Sequence, residues 1–474
     1  MADLEHISNK RKYRLLFVTA LSAFIGTLDA SIVNISLPTL SRSFGISIDY
    51  VAWVVLAYSL TIASTLLFVG RIAVKKGFRY TYLTGFGLFT IGSCLCGMSV
   101  TIWQLIAFRI IHGVGASFMM AAGPALITRA FPVEERGKSM GILATVVGIG
   151  LMSGPPVGGL IVSTLGWKWI FFINIPIGIF GYIYSMSTLR GMKPDDPDTK
   201  LDIPGGLLQA AAIILILLTL NRLNDPIWTS NTLILMVSLG IFSFALFIIR
   251  ETRVDSPLVG LGIFRYRQFS LAITSMMVSF ICIAAWMILI PFYLEDILRY
   301  SPRQVGMVLV TVPLVTVFVA PLAGRISDKI GYRLLTTLGL CISTVGIFLI
   351  STLDQNSTRF EIIIRLIVIG IGGGMFQAPN SSAMMSAIPK RISAIASSLL
   401  AVARTLGLAL GVAISTAIFT YRVQNQSEIL DKATAYEKSF TWVVMLFAIV
   451  SILAIIISAF RKNRIDQRNL ELDH

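Results

Sequence analysis

Fourteen apolar runs, each long enough to cross a lipid bilayer as a helix, divide this sequence from one end to the other. They lie at 13–37, 50–70, 80–99, 103–126, 138–164, 169–189, 203–221, 231–250, 269–291, 303–323, 334–352, 360–382, 392–420 and 440–460. A bilayer core needs roughly 20 apolar residues in a helix. Only helices and closed barrels satisfy their backbone hydrogen bonds in lipid, and these runs lack the two-residue alternation of barrel strands. The sequence therefore predicts an all-α polytopic membrane protein.

The placement of the basic residues decides what the charge of the chain means. A formal net charge of +15 would indicate a nucleic-acid partner in a soluble chain, but only 13% of the residues are charged and 55% are apolar. With the N-terminus in the cytoplasm, most of the 39 Lys and Arg residues fall on the inner side, which is the positive-inside bias. We therefore expect a multi-pass protein of the cell membrane with both termini in the cytoplasm, no nucleic-acid partner, and basic segments such as Lys10-Arg11-Lys12 contacting anionic lipid headgroups.

A repeated phrase divides the chain into two parallel halves. GRIAVKKGFR at 70–79 recurs as GRISDKIGYR at 324–333, and both copies fall on inner loops, after the second and the tenth run. A second sequence similarity relates residues 109–115 in the fourth run to residues 365–372 in the twelfth. Parallel repeats of this kind are typical of transporters. The predicted divisions are a cytoplasmic tail at 1–12, an N-terminal six-helix half at 13–189, inner linkers with two inserted helices at 190–267, a C-terminal six-helix half at 268–460 and a cytoplasmic tail at 461–474.

Several motifs together make the chain resemble a known family over nearly its whole length. They are LDASIVN at 28–34 followed by Leu37-Pro38, the two glycine-and-basic loops, Arg109 with Gly113 and Gly115, GLMSGPPVGG at 150–159, and WKWIF at 167–171 with Asn174 and Pro176. In these motifs the chain resembles the major facilitator superfamily and, within it, the fourteen-span drug:proton antiporters. The resemblance implies two six-helix halves plus two extra helices, alternating access, and a small molecule and protons as partners.

The inner loops and the kinked fifth run are the predicted gates. The candidate gating residues are Gly70, Val74, Gly77, Arg79, Gly154, Pro155, Gly158, Gly324, Asp328, Gly331 and Arg333. Glycine permits a close turn, while acidic and basic side chains pair with helix ends. Val74 departs from the family, in which the first loop usually carries an aspartate, so we expect a looser inner gate or one that uses Glu134 or Glu135. A simpler interpretation, in which both loops only anchor the membrane surface, stays open.

The fifth run carries the family's antiporter motif. Its prolines remove backbone donors and its glycines allow close helix contact, so a packing kink is expected in any case. The resemblance further implies that the segment packs against the other half and seals the resting state against leak.

Ionisable residues inside the membrane carry the sharpest functional signal, because a charge there is costly and is usually paired. Of the 24 acidic residues, only Asp29 lies well inside an apolar run. Asp29 is about 12 Å and Arg109 about 9 Å from the outer ends of their helices, so the two can meet. His112, one turn from Arg109, titrates near neutral pH, although an inert histidine is an equal alternative. We predict that these three residues couple protons, whereas Arg365 has no matching carboxylate.

The predicted substrate cavity is aromatic and rich in methionine. Its candidate residues are Asn34, Trp53, Tyr58, Met119, Trp286, Phe376, Gln377 and Asn380. Such surfaces repack around varied hydrophobic guests, although each residue taken alone is better explained as an ordinary packing or lipid-facing residue. A sugar would need many more buried hydrogen-bonding partners.

The sequence therefore predicts a proton-coupled efflux transporter of hydrophobic or cationic small molecules, of the kind that confers antibiotic resistance. We expect a monomer without a cofactor or a metal. The sequence has no ATP-binding motif, which disfavours primary active transport by this chain alone. No nucleophile with a base and an orienting group can be assembled, which argues against an enzyme. Two alternatives remain open: a dedicated exporter of one lipid, siderophore or antibiotic, and a membrane sensor or scaffold that does not transport.

Overall fold

A computed structural model describes residues 9–461 apart from 132, 195, 223–227, 255, 389–392 and 427–430. Within these ranges the chain is helical and contains no strand, so the all-α prediction is confirmed. The helices are α1 (Asn9–Phe44), α2 (Ile48–Val51), α3 (Trp53–Met98), α4 (Ile102–Ala130), α5 (Val133–Thr164), α6 (Trp169–Phe172), α7 (Asn174–Thr188), α8 (Ile203–Arg222), α9 (Ser230–Glu251), α10 (Arg267–Phe292), α11 (Pro302–Leu309), α12 (Thr311–Ile330), α13 (Tyr332–Ser351), α14 (Arg359–Ser386), α15 (Ser393–Gln426) and α16 (Lys432–Ala459).

Thirteen helical segments in the described part are long and apolar enough to cross a membrane. One of them, Ile48–Met98, has 51 residues, which corresponds to about 75 Å of helix and more than twice the thickness of a bilayer core. It is kinked at Gly77, whose φ of 85° is not helical. This segment is therefore long enough for two of the fourteen spans expected from the sequence.

The two halves repeat the same helix packing. In the N-terminal half, α1 packs against α5 and α7, and α3 packs against α4 and α7. In the C-terminal half, α10 packs against α15 and α16, and α13 packs against α14 and α16. The halves meet where α5 contacts α11 and α12, where α3 contacts α15, and where α1 contacts α10. The repeat read from the loops is therefore a repeat of the whole six-helix unit.

The two inserted helices lie at the seam between the halves. Helix α8 packs against α3 of the first half and α15 of the second, and α9 packs against α8. Gln209 fixes α8 to α3 because its Nε2 donates to the carbonyl oxygen of Ala63 at 3.2 Å. Helix α9 exposes large apolar side chains such as Ile234 and Phe242, as expected of a face in contact with lipid. Of the two inserted helices, α8 is therefore the one that packs extensively against both six-helix halves.

Candidate functional site

Asp29 of α1 and Arg109 of α4 form a buried ion pair in the N-terminal half. Arg109 Nη1 donates to Asp29 Oδ2 at 2.7 Å, and the two side chains are 1% and 0% exposed. The meeting predicted from their depths is therefore observed. A pair shielded from water in this way is stable only when its other donors and acceptors are also satisfied.

Arg109 has further partners besides the carboxylate. Its Nε donates to the carbonyl oxygen of Val54 in α3 at 3.0 Å, and its guanidinium lies 4.0 Å from the ring centroid of Tyr58. A cation over an aromatic face is attracted by the negative face of the ring. Tyr58, which we expected in the substrate cavity, thus packs against Arg109. These contacts keep the guanidinium partly compensated even when Asp29 carries no charge.

His112 contacts the same arginine. Its Nδ1 lies 2.9 Å from Arg109 Nη1 and 3.9 Å from Asp29 Oδ2. Because a guanidinium only donates, Nδ1 accepts, and the imidazole is neutral with its proton on Nε2. Among the described residues, His112 Nε2 has no hydrogen-bond partner, and the ring lies 4.1 Å from that of Phe89. In this arrangement His112 takes up a proton at Nδ1 only if Arg109 moves away.

Asn174 of α7 completes the surroundings of the carboxylate. Its Nδ2 donates to Asp29 Oδ1 at 3.0 Å and to Ser93 Oγ at 3.1 Å, while Ser93 Oγ donates to the carbonyl oxygen of Phe171 at 2.8 Å. Both oxygens of Asp29 therefore have a donor. Neither Asn174 nor Ser93 was among the predicted site residues. An amide side chain within an apolar run is the sequence signal that could have indicated Asn174.

The C-terminal half lacks this arrangement. Within the described ranges, Arg365 forms no ion pair with a carboxylate, and its buried Nη1 has no hydrogen-bond partner. Glu361 instead caps α14, where it accepts from the backbone nitrogen of Thr358 at 2.8 Å. The asymmetry between the halves predicted from the sequence is thus present in the geometry.

Two residues predicted for the substrate cavity, Trp53 and Met119, have other neighbours. Trp53 lies at the start of α3, with its ring centroid 5.9 Å from the guanidinium carbon of Arg222. Met119 packs against Gly85 between two helices of the same half. Of the other candidates, Asn34, Trp286 and Phe376 are buried, and Gln377 is half-buried.

The amide of Asn380 has protein partners on both of its atoms. Its Nδ2 donates to the carbonyl oxygen of Ala272 at 3.3 Å, and its Oδ1 accepts from Arg461 Nη1 at 2.7 Å. Arg461 follows the last span, and burial lowers its pKa to about 10. Asn380 therefore ties α14 to α10 and to the end of α16.

The two inner loops turn at equivalent glycines. Gly77 and Gly331 have φ values of 85° and 96°, which favour glycine over any residue with a Cβ atom. Arg79 and Arg333 are both exposed. A Cβ atom on Gly70 or Gly324 would meet nothing within 4 Å, so these two glycines lie in open surroundings.

The first loop, which lacks the acidic residue, is covered by both linkers of the inserted helices. Arg71 donates to the carbonyl oxygen of Pro257, and the backbone nitrogen of Asp196 donates to the carbonyl oxygen of Val74 at 3.3 Å. The backbone nitrogen of Pro194 lies 3.3 Å from where a Cβ atom of Gly77 would stand. The loop is thus held by the linkers before and after the insertion.

Glu135 was one of two acids expected to replace the missing latch. It forms an ion pair with Lys12 at 3.5 Å, which joins α5 to α1 within one half. The side chains of Glu134 and Asp328 lie outside the part of the chain that the structure describes.

The glycines of the fifth span allow close packing on two sides. A Cβ atom on Gly158 would lie 2.7 Å from Ile32 Cγ1, and Gly154 is packed against Ser31 of α1 in the same way. On the other side of α5, Pro155 is in close contact with Gly306 of α11, in the other half. The segment therefore contacts both its own half and the opposite one.

The described residues offer no metal centre. Within them, no group of three or more His, Cys, Asp or Glu side chains is placed to hold a metal ion. The cysteines Cys94, Cys96, Cys282 and Cys341 are free thiols.

Comparison with known proteins places this geometry in context. The family model described as Major Facilitator Superfamily matches residues 19–412 and, separately, 271–472. The chain is 34% identical to the riboflavin transporter RibZ of Clostridioides difficile over 97% of this chain and 99% of that protein. It is 29% identical to the multidrug resistance protein Stp of Mycobacterium tuberculosis over 86% of this chain and 75% of that protein. A crystal structure of a POT family transporter in complex with 5-aminolevulinic acid shares the fold, with a TM-score of 0.69, 16% identity, and coverage of 95% of this chain and 96% of that one.

Proposed function

Because this chain belongs to the Major Facilitator Superfamily, we propose that it is a proton-coupled exporter of hydrophobic or cationic small molecules that works by alternating access. The observation that carries the proposal is the buried pair of Asp29 and Arg109. An ionisable pair inside the membrane is costly, and in transporters such groups form proton relays. The similarity to multidrug proteins such as Stp supports export of varied compounds, as in the fourteen-span drug:proton antiporters.

Protonation of Asp29 is the proposed coupling step. A proton on the carboxylate removes the charge that Arg109 pairs with, while Val54 and Tyr58 still hold the guanidinium. The protonated and ionised forms then stabilise different packings of α1 against α4.

Helix α1 connects the proton site to the contact between the halves. Arg42 lies on the same helix as Asp29, about 20 Å further out, and pairs across to Glu295 and Asp296. Helix α1 also packs against α5, which contacts α11 of the other half. A change at Asp29 is thereby transmitted to the outer ends of the two halves, which are in contact in this conformation.

Proteoliposomes with an imposed pH gradient test the coupling role. Asp29→Asn keeps the size of the side chain but cannot titrate. We therefore expect proton-driven uphill export to be abolished while binding of uncharged compounds survives. Asp202→Asn is the matched control, because Asp202 is a buried carboxylate paired with Arg250 outside the site. If Asp29→Asn still concentrates substrate with a normal proton flux, the role assigned to Asp29 is wrong.

A dedicated carrier for one compound is the second candidate. It is favoured by RibZ, a riboflavin transporter that matches this chain along almost its entire length. Accumulation and susceptibility assays in a host lacking its own pumps, with riboflavin and chemically varied drugs as substrates, separate the two. Transport of riboflavin alone supports the dedicated carrier, whereas reduced accumulation of many unrelated compounds supports the multidrug exporter. Substrate-dependent proton flux distinguishes both from a sensor or scaffold.

The remaining topology is part of the same proposal. Both termini and both glycine-and-basic loops face the cytoplasm, where basic residues meet anionic headgroups. One chain forms the whole transport unit, because two six-helix halves already provide both sides of an alternating-access pathway.

A further inference from the structure

We propose that the inner end of the groove between α1 and α7 is a binding site for one anionic phospholipid. The site lies on the periphery of the N-terminal half, where the helices face lipid. The inference is independent of the proposed transport function. It rests on a basic cleft, on an exposed aromatic surface that continues from it, and on the position of both at the end of two membrane spans.

The cleft has a volume of about 320 Å³ and joins the start of α1 to the end of α7. Its lining residues are Lys10, Arg11, Arg14, Ser187, Thr188 and Arg190. Arg11 Nη2 donates to the carbonyl oxygen of Arg190 at 2.8 Å, which fixes one wall of the cleft to the other. Within the described part of the chain, none of these four cations forms an ion pair with a carboxylate. Their positive charge is therefore available to a ligand.

An aromatic surface begins one turn further into the membrane. Phe17 and Phe180 are exposed to 44% and 50%, although both are large apolar side chains. The ring of Phe17 lies 5.1 Å from that of Tyr184 and 6.2 Å from that of Phe180. Phe17 follows Arg14 by one turn of α1, and Tyr184 precedes Ser187 by one turn of α7. The groove is thus cationic at the membrane surface and aromatic within the apolar layer.

This polarity matches a phospholipid with a negatively charged headgroup. A phosphate diester accepts charge-assisted hydrogen bonds from the guanidinium groups of arginine. Basic pockets at the inner ends of membrane helices are suited to headgroups of this kind. The acyl chains of the lipid would cover the exposed rings of Phe17 and Phe180. Free phosphate would occupy only the cleft and leave this apolar surface bare.

Native mass spectrometry of the delipidated full chain tests the site directly. Phosphatidylglycerol, phosphatidylcholine and inorganic phosphate are added in separate titrations. We expect one retained phosphatidylglycerol adduct on the wild type and a fall in its occupancy of about tenfold in Arg11→Gln/Arg14→Gln, since each basic residue near the surface strengthens the attraction. Arg253→Gln/Arg265→Gln removes the same charge from exposed positions elsewhere and should keep the adduct.

Two further variants address the other wall and the apolar part of the site. Arg190→Gln should also weaken phosphatidylglycerol, because its side chain lines the cleft while its backbone contact with Arg11 is retained. Phe17→Ala/Phe180→Ala should lower the occupancy several-fold. These are exposed positions, and size-exclusion profiles check that each variant is folded.

Three results would overturn the proposal. Equal losses in the cleft variants and the control would mean that only the overall charge matters. Equal retention of phosphatidylcholine and phosphatidylglycerol would remove the role of the cations. Binding of inorganic phosphate as tight as that of the lipid would assign the cleft to a free anion.

Discussion

Arg42 near the end of α1 and Glu295 after the end of α10 form an ion pair that joins the two halves of the molecule. The Glu295 side chain is only 1% exposed, whereas that of Arg42 is 52% exposed. Arg42 Nη1 also lies 3.1 Å from Asp296 Oδ1. Among the described residues, the second carboxylate oxygen of Glu295 has no partner. A buried carboxylate in one half therefore depends on a cation that the other half supplies.

The first prediction is that Arg42→Gln opens the outer side. Loss of the cation leaves a buried carboxylate unpaired, which costs roughly 1–3 kcal/mol in the closed arrangement. Spin labels at Leu165 and Asn356 lie on outer segments of opposite halves. Double electron–electron resonance should then show a larger population of long distances between them. Arg359→Gln is the control, because it removes an exposed outer arginine from the start of α14. The same distance distribution in Arg42→Gln and the wild type would exclude a role for this pair in closing the outer side.

The second prediction is that Arg109→Ala damages transport far more than Arg365→Ala. Arg109 is paired with a buried carboxylate, and removing one partner of such a pair costs roughly 3–5 kcal/mol. Within the described ranges, Arg365 has no such carboxylate to strand. Initial rates in proteoliposomes at equal expression measure the difference, which we expect to exceed tenfold. Equal losses would indicate that the two halves handle protons symmetrically.

The third prediction concerns Asn174, which donates to the second oxygen of Asp29. Asn174→Ala removes one charge-assisted hydrogen bond, a contribution of about 1.5–3 kcal/mol, so we expect the transport rate to fall about tenfold or more. The number of protons moved per substrate should stay unchanged, because Asp29 can still titrate. Gln209→Ala, which removes a buried amide from α8, is the control. A changed proton ratio in Asn174→Ala would mean that this residue does more than position the carboxylate.

The sequence predicted the spans and the central ion pair because both follow from distance along the chain. Hydropathy marks where each helix enters and leaves lipid, and helical rise converts residue numbers into depth. Depth alone placed Asp29 level with Arg109. The rotation of each helix about its own axis is set by side-chain packing among many helices, so the contact of Asn174 with Asp29 could not be read in the same way.

The same limit explains where the predicted substrate residues were found. Residue type indicated Trp53 and Met119 as substrate-contacting residues. Residue type does not say which side of a helix faces the space between the halves. Packing sets Trp53 beside the inserted helix and Met119 against Gly85. The linkers over the first loop were also beyond prediction, because their position depends on contacts between segments far apart in the chain.

The fourth prediction tests the first inner loop. Val74→Asp restores the acid that the second copy of the loop carries, and it should favour closure of the cytoplasmic side by up to about 1 kcal/mol, which is roughly fivefold. Labels at Tyr80 and Leu334, exposed near the inner ends of equivalent helices, report this as shorter distances. Val74→Asn matches the shape of aspartate without its charge and should have no such effect. Slower cycling is expected if opening of the inner gate limits the rate.

Unchanged distances and unchanged transport in Val74→Asp would contradict a role for this position in the gate. The linkers would then be the main restraint on the loop, since Asp196 already donates to the carbonyl oxygen of Val74.

The position of α8 also restricts how molecules can reach the space between the halves from the side. When two six-helix units rock against each other, gaps open along both lines where they meet, and bilayer lipids can slip into such gaps. Along one of these lines α8 stands against α3 and α15, anchored to α3 by Gln209. The opposite line, where α5 faces α11 and α12, carries no inserted helix. We therefore expect a compound dissolved in the bilayer to reach the space between the halves along this second line and not past α8.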